Sequence, residues 1–160
     1  MGVRRKSREC AMQVLFFMDM SRSMSPEMVE LFCNCFTPSE SVYPFFSELI
    51  NGVIRSKSEI DTVIEGFSDN WKMNRMSSVD RNVMRIAVYE LLYCDDIPPK
   101  VSINEAIDVG KKFGTEESGA FINGILDSIH QAMKRGDGLI KTEKRKERLN
   151  ESQGGSQGLA

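Results

Sequence analysis

The chain has a single histidine and a single tryptophan in 160 residues, and four cysteines at positions 10, 33, 35 and 94. A CxC pair with two scattered thiols matches neither a disulfide framework nor the ligand spacing of a zinc site, and one histidine cannot complete it. Cys10, Cys33, Cys35 and Cys94 are therefore expected as free thiols packed like small apolar residues. No glycine-rich phosphate loop occurs, and His130 has no nucleophile in a recognisable context. It is expected near the surface, as a dipole partner late in a helix. No apolar run approaches the roughly 18 residues of a membrane helix, and the N-terminus has no apolar signal core. These gaps exclude the common hydrolase, metal and membrane classes. They leave a cytoplasmic binding protein with no cofactor.

The net charge of −2 conceals an uneven distribution. Residues 1–8 carry Arg4, Arg5, Lys6 and Arg8 without an acid, and residues 141–160 carry five bases against three acids. The intervening 9–140 therefore hold −8 once +4 and +2 are taken from −2. An acidic body with a basic arm meets nucleic acid locally, since phosphate attraction is screened within about 10 Å at physiological salt. Four cations within five residues also sit at the positive end of a helix dipole, so the arm is frayed when free or ordered by an anion. Guanidinium groups grip phosphates bidentately and stack on bases. A solubilising extension is the plainer alternative for such a short segment.

Apolar periodicity predicts about seven helices and no strand. The first covers 3–20, with Ala11, Val14, Leu15 and Met18 inward. Ser25-Pro26-Glu27 starts a second. A third begins at Ser39-Glu40 and buries Phe45, Phe46, Leu49, Ile50, Val53 and Ile54, with a close crossing expected at Gly52. A fourth covers about 58–70, after which Trp71 closes onto the core. Residues 80–93, DRNVMRIAVYELLY, are apolar nearly all round and belong at the centre of a bundle, capped by Ser77 or Ser78. Ser102-Ile103-Asn104-Glu105 reads as a capping box that opens a sixth helix. Thr115 caps the last, whose inward face is Phe121, Ile122, Ile125, Leu126 and Ile129. Asn123-Gly124 interrupts that helix, with close packing at Gly124 as its plainest explanation. Three parts result: a basic arm over 1–9, one helical domain over 3–135, and a disordered tail over 136–160.

Several stretches together resemble one family. They are RRKSRECA (residues 4–11) with Gln13 and Leu15, Asp80-Arg81 followed by RIAVYEL (85–91), PPKVSINEAIDVGKKFG (98–114) and SGAFINGILD (118–127). They resemble the NusB transcription antitermination family over residues 3–135, most specifically over 101–127. The resemblance implies an all-α fold of two small helical subdomains and a non-enzymatic role. With NusE, the ribosomal protein of the small subunit, such a protein binds boxA RNA of ribosomal RNA leader transcripts. The complex loads onto RNA polymerase and suppresses premature termination. Homodimers also occur in the family.

Carried onto this chain, the resemblance makes Arg4, Arg5, Lys6 and Arg8 the RNA-binding arm, with lysine in place of arginine at position 6. It makes Phe121 the aromatic that touches RNA and places Glu117 and Arg85 near the RNA surface. Phe16, counted with the RNA-binding residues, occupies a tyrosine position on the first helix and lacks its hydroxyl. Asp80 falls at the NusE interface with Arg81 beside it. Glu90, deeper in its helix, is left to a structural hydrogen bond or ion pair. A helical protein–protein adaptor without RNA contact is the competing reading, supported by the acidic body. An accessory domain of an RNA cytosine methyltransferase is a third, and the chain has no room for the catalytic part.

Overall fold

In the computed structural model, which describes residues 2–69 and 71–136, every residue from Asn82 to Leu92 is buried. They lie on α4 (Ser78–Tyr93), which packs on four other helices: α1 (Val3–Ser21), α3 (Tyr43–Gly66), α5 (Pro99–Phe113) and α6 (Ser118–Lys134). A helix apolar on most faces needs neighbours on most faces, and α4 has them. Ser77 caps it, its Oγ accepting from the Asp80 N–H at 3.1 Å, and Asp80 puts a carboxylate at the positive end of the dipole.

The short α2 (Pro26–Cys35) lies against α1 and buries none of its residues fully. A 3-10 turn (Met73–Arg75) links α3 to α4. The described residues thus form six α-helices and one 3-10 turn, with no strand. No helix among them is long and apolar enough to cross a membrane. The tail expected to be disordered falls, from residue 137 on, outside the described residues.

The expected third and fourth helices are one. Nothing between 54 and 58 breaks α3: the polar stretch Arg55-Ser56-Lys57-Ser58 contains neither proline nor glycine, and Ser56 is buried. At Gly52, inside α3, the ring of Tyr89 occupies the place where a Cβ would stand, so the glycine serves a close crossing with α4. The helix starts at Tyr43 rather than Ser39, whose carbonyl instead accepts from the N–H groups of Val42 and Tyr43.

Other boundaries also moved. α5 begins at Pro99, where a fixed φ and a missing N–H suit a first helical position. The Ser102 hydroxyl donates to Glu90 Oε1 at 3.0 Å and caps nothing. α6 starts at Ser118, whose Oγ accepts from the Thr115 N–H at 2.9 Å. Trp71 does not close onto the core: it is 53% exposed. His130 is buried on the inward face of α6. A Cβ at Gly124 would meet nothing within 4 Å, so close packing does not explain that glycine. The close approach of α5 and α6 is made at Gly110, under Ile122.

Candidate nucleic-acid interface

α1 begins without an acidic residue in its first turn and with cations at 4, 5, 6 and 8. The compensating anions come from α4, α5 and the loop between them. Arg8 is buried, and its Nε and Nη2 donate to the two carboxylate oxygens of Glu90 at 2.9 and 2.7 Å. Arg5 donates through Nε and Nη2 to Glu105 and through Nη2 to Asp108 at 2.7 Å. Arg4 reaches Asp96 at 3.3 Å with both side chains mostly in water. The Phe45 ring lies under both Arg4 and Arg8, 5.0 and 5.3 Å from their guanidinium carbons. Lys6 is exposed and has no ion pair among the described residues.

This geometry grades the arm from inside to outside. Arg8 is a structural cation, whereas Arg4 and Lys6 face solvent and Arg5 stands between. The hydrogen bond from Arg5 holds the Glu105 carboxyl below its ordinary range despite partial burial, and the same bond pushes the Arg5 guanidinium up. Both groups are fully charged near neutrality.

A second cluster lies where α4 and α6 begin. Trp71, Arg75, Met76, Ser77, Asp80, Thr115, Glu117 and Phe121 line a cavity of about 280 Å³. The rings of Trp71 and Phe121 meet edge-on, centroids 6.2 Å apart at 73°. Asp80 Oδ1 is buried and has no hydrogen-bond partner among the described residues. Glu117, the residue before α6, is exposed on the rim. The cavity therefore offers an aromatic edge, an unused acceptor and the cation of Arg75. These groups suit a flat ring that carries hydrogen-bond donors.

The remaining predicted residues are placed differently. Arg85 is buried, donating to Asp61 at 2.8 and 3.0 Å, to Asn82 at 2.9 Å and to Asp19 at 3.3 Å. Arg81 donates to Asp19 Oδ2 through Nε and Nη2 and to the Met73 and Met76 carbonyls. Burial would raise the Asp19 carboxyl, but the hydrogen bonds from Arg81 and Asn82 and the charge of Arg85 outweigh it and hold it low. Phe16 is exposed on α1 beside Phe17, away from the cavity lining.

The structure thus brings Asp80, Glu117 and Phe121 together. It keeps the arm apart from them, beside Glu90, ten residues or about 15 Å further along α4. α1 runs alongside α5 between the two, Arg5 facing Glu105 and Asp108, Glu9 facing Lys112 at 2.9 Å. The sequence pointed to neither Trp71 nor Arg75 as site residues. A tryptophan in a connection between helices was the one available signal for the first.

The NusB family model matches residues 5–131. The transcription antitermination protein NusB of Desulfatibacillum aliphaticivorans is 58% identical over 130 residues, 81% of this chain and 91% of that protein. The structure of T. maritima NusB superposes with a TM-score of 0.71 at 38% identity, covering 80% of this chain and 90% of that one. A chain from the crystal structure of antitermination factors NusB and NusE in complex with double-stranded RNA superposes with a TM-score of 0.73 at 28% identity, covering 82% and 98%. With its INEA and FINGILD motifs and nearly all of its helical body within the matched region, this chain belongs to the NusB family of transcription antitermination proteins.

Proposed function

We propose that this protein acts in the cytoplasm as an antitermination factor that binds boxA-type single-stranded RNA of ribosomal leader transcripts together with NusE. The complex then joins RNA polymerase and prevents premature termination. The family is non-enzymatic, so the work is binding. The observation that carries the RNA reading is the Trp71–Phe121 pair in the cavity where α4 and α6 begin. Bases stack on aromatic faces. Arg4 and Lys6 supply the salt-dependent attraction to phosphates, and Arg5 adds to it. In this assignment Arg8 and Arg85 position the surface from inside, while Glu117 borders it and the exposed Phe16 extends it on α1. Asp80 and Arg81 are the contacts given to NusE.

An acidic body binds RNA weakly by itself, so a basic ribosomal partner raises the affinity by linkage. The similarity to the chain seen with NusE and RNA supports this pairing. The competing adaptor reading has one observation in its favour: three of the four arm cations already hold carboxylates of their own chain.

Fluorescence anisotropy of a labelled boxA-like strand, with and without NusE across a salt series, separates the two. The RNA reading expects binding that weakens with salt, strengthens with NusE, and falls in the Arg4→Ala/Lys6→Ala variant. An unlabelled duplex serves as competitor. Affinity indifferent to salt and to that variant would leave the adaptor.

A further inference from the structure

We infer that Asp108 and Glu105 form an electrostatic mask over the arm: they occupy Arg5 in the free protein, and RNA must displace them to use it. The inference rests on the RNA reading above. Arg5 is shared between two carboxylates one helical turn apart on α5, so one positive charge faces two negative ones. These three groups sum to −1, which cancels the pull of Arg5 on a phosphodiester. A carboxylate presents a guanidinium with the same paired acceptors as a phosphate. The two therefore compete for one fork.

Exposure distinguishes a mask from a structural clip. The Arg8 and Glu90 side chains are 5% and 1% exposed, as befits a permanent clamp. Those of Arg5 and Asp108 are 33% and 50% exposed, and those of Arg4 and Asp96 are 53% and 71% exposed. Exposed pairs contribute little to stability. α1 is held without them by the Arg8–Glu90 pair, by Glu9–Lys112, and by Ala11, Val14, Leu15 and Met18 in the core. Asp108, half exposed and paired only with the half-buried Arg5, is therefore an outer carboxylate that solvent and a ligand can both reach.

The test measures affinity of the full chain, with NusE, for a boxA-like single strand in four forms: wild type, Asp108→Asn, Arg5→Ala, and the double variant. Asp108→Asn removes only the outer, solvent-facing carboxylate, and thermal melting checks that each form folds. Glu105→Gln is added where it folds, because Glu105 also lies 3.6 Å from Arg8. The mask predicts that Asp108→Asn tightens binding about three- to five-fold, the worth of an exposed pair, and that the gain vanishes when Arg5 is absent. An equal gain with and without Arg5 would be a general charge effect and overturns the mask while leaving RNA binding intact. Unchanged or weaker binding in Asp108→Asn also overturns it, since the carboxylate would then be presenting Arg5 to RNA. Absence of RNA binding in every form removes the RNA reading and the mask together.

Discussion

Arg8 of α1 and Glu90 of α4 form a two-bonded ion pair with almost no exposure to water, and the Ser102 hydroxyl of α5 donates to the same carboxylate. Three helices meet at this one charge pair. Burying two ions costs several kcal/mol each, and only mutual pairing offsets it. Removing one partner leaves the other buried and uncompensated. Arg8→Ala is therefore expected to destabilise the protein by about 3–5 kcal/mol. Arg8→Met combined with Glu90→Gln should cost less than Arg8→Ala alone. Urea unfolding of the three forms measures both statements. Any loss of RNA affinity in Arg8→Ala should then track the unfolded fraction.

Two arginines four residues apart show what a sequence conveys and what it conceals. The apolar periodicity of α4 was readable, as were its cap, its central place and the structural pairing of Glu90. Arg4 and Arg8 look alike in the basic cluster, yet Arg4 is exposed and Arg8 is buried. Both lie on the α1 face that carries Ala11 and Leu15 into the core, but Arg4 sits in the first turn, where its carboxylate partner is the exposed Asp96, and Arg8 one turn further in, opposite a buried carboxylate 82 positions away. Residue type alone does not encode that distant partner. Arg85 was concealed in the same way by Asp19 and Asp61. Phe121 and Asp80 were named through family resemblance, and the structure places both in the cavity lining. Trp71 was misplaced because burial is the usual fate of a tryptophan, and only the packed chain shows the ring at the surface.

Asp19 gathers Ser78, Arg81 and Asn82 on one oxygen and Arg85 on the other, tying the end of α1 to the start of α4. Its carboxyl is held below the ordinary value of 3.8. A depressed folded value means that the unfolded chain takes up the proton first. The stabilisation is therefore complete above the unfolded value and is lost as pH falls below about 4 and through the folded value. Glu105, lowered by Arg5, acts in the same direction. Stability measured by urea between pH 6 and pH 3 should fall steeply at the acid end. Asp19→Asn should cost about 3 kcal/mol at neutral pH and flatten that decline. An acid limb equally steep in the variant would assign the decline to other carboxylates.

The single tryptophan makes the proposed RNA surface observable without a label. Trp71 is half exposed beside Phe121, so a base entering the cavity between them should change its emission. Base stacking on an aromatic ring is worth about 1–3 kcal/mol. Phe121→Ala and Trp71→Ala are each expected to weaken boxA-like RNA about ten-fold; Trp71→Ala should leave thermal stability nearly unchanged because its ring is half exposed, whereas Phe121→Ala, whose ring packs against the core, should lower it as well. Asp80→Asn, which keeps the side-chain shape at this buried position, should weaken NusE binding in a pull-down titration, with melting as the check on the fold. A tryptophan signal indifferent to RNA that is bound would place the contact elsewhere on the molecule.

Two glycines inside helices lead to opposite expectations. At Gly52 a Cβ would overlap the Tyr89 ring, so α3 and α4 can approach there only because the side chain is missing. Gly52→Ala should destabilise by about 1–3 kcal/mol through overpacking. Tyr89→Leu in the same chain should recover part of that loss, so the two changes combine to less than their sum. At Gly124 a Cβ would point into open space, and the residue lies in the regular part of α6. Alanine there removes the entropy penalty of glycine and should stabilise the protein by about 0.5–1 kcal/mol. Thermal and urea unfolding of the two alanine variants measure both signs. RNA and NusE titrations of the stabilised Gly124→Ala protein then show whether its binding matches the wild type. Weakened binding despite the gain in stability would mean that a ligand approaches α6 closely at Gly124, which would give that glycine the reason that helix packing does not.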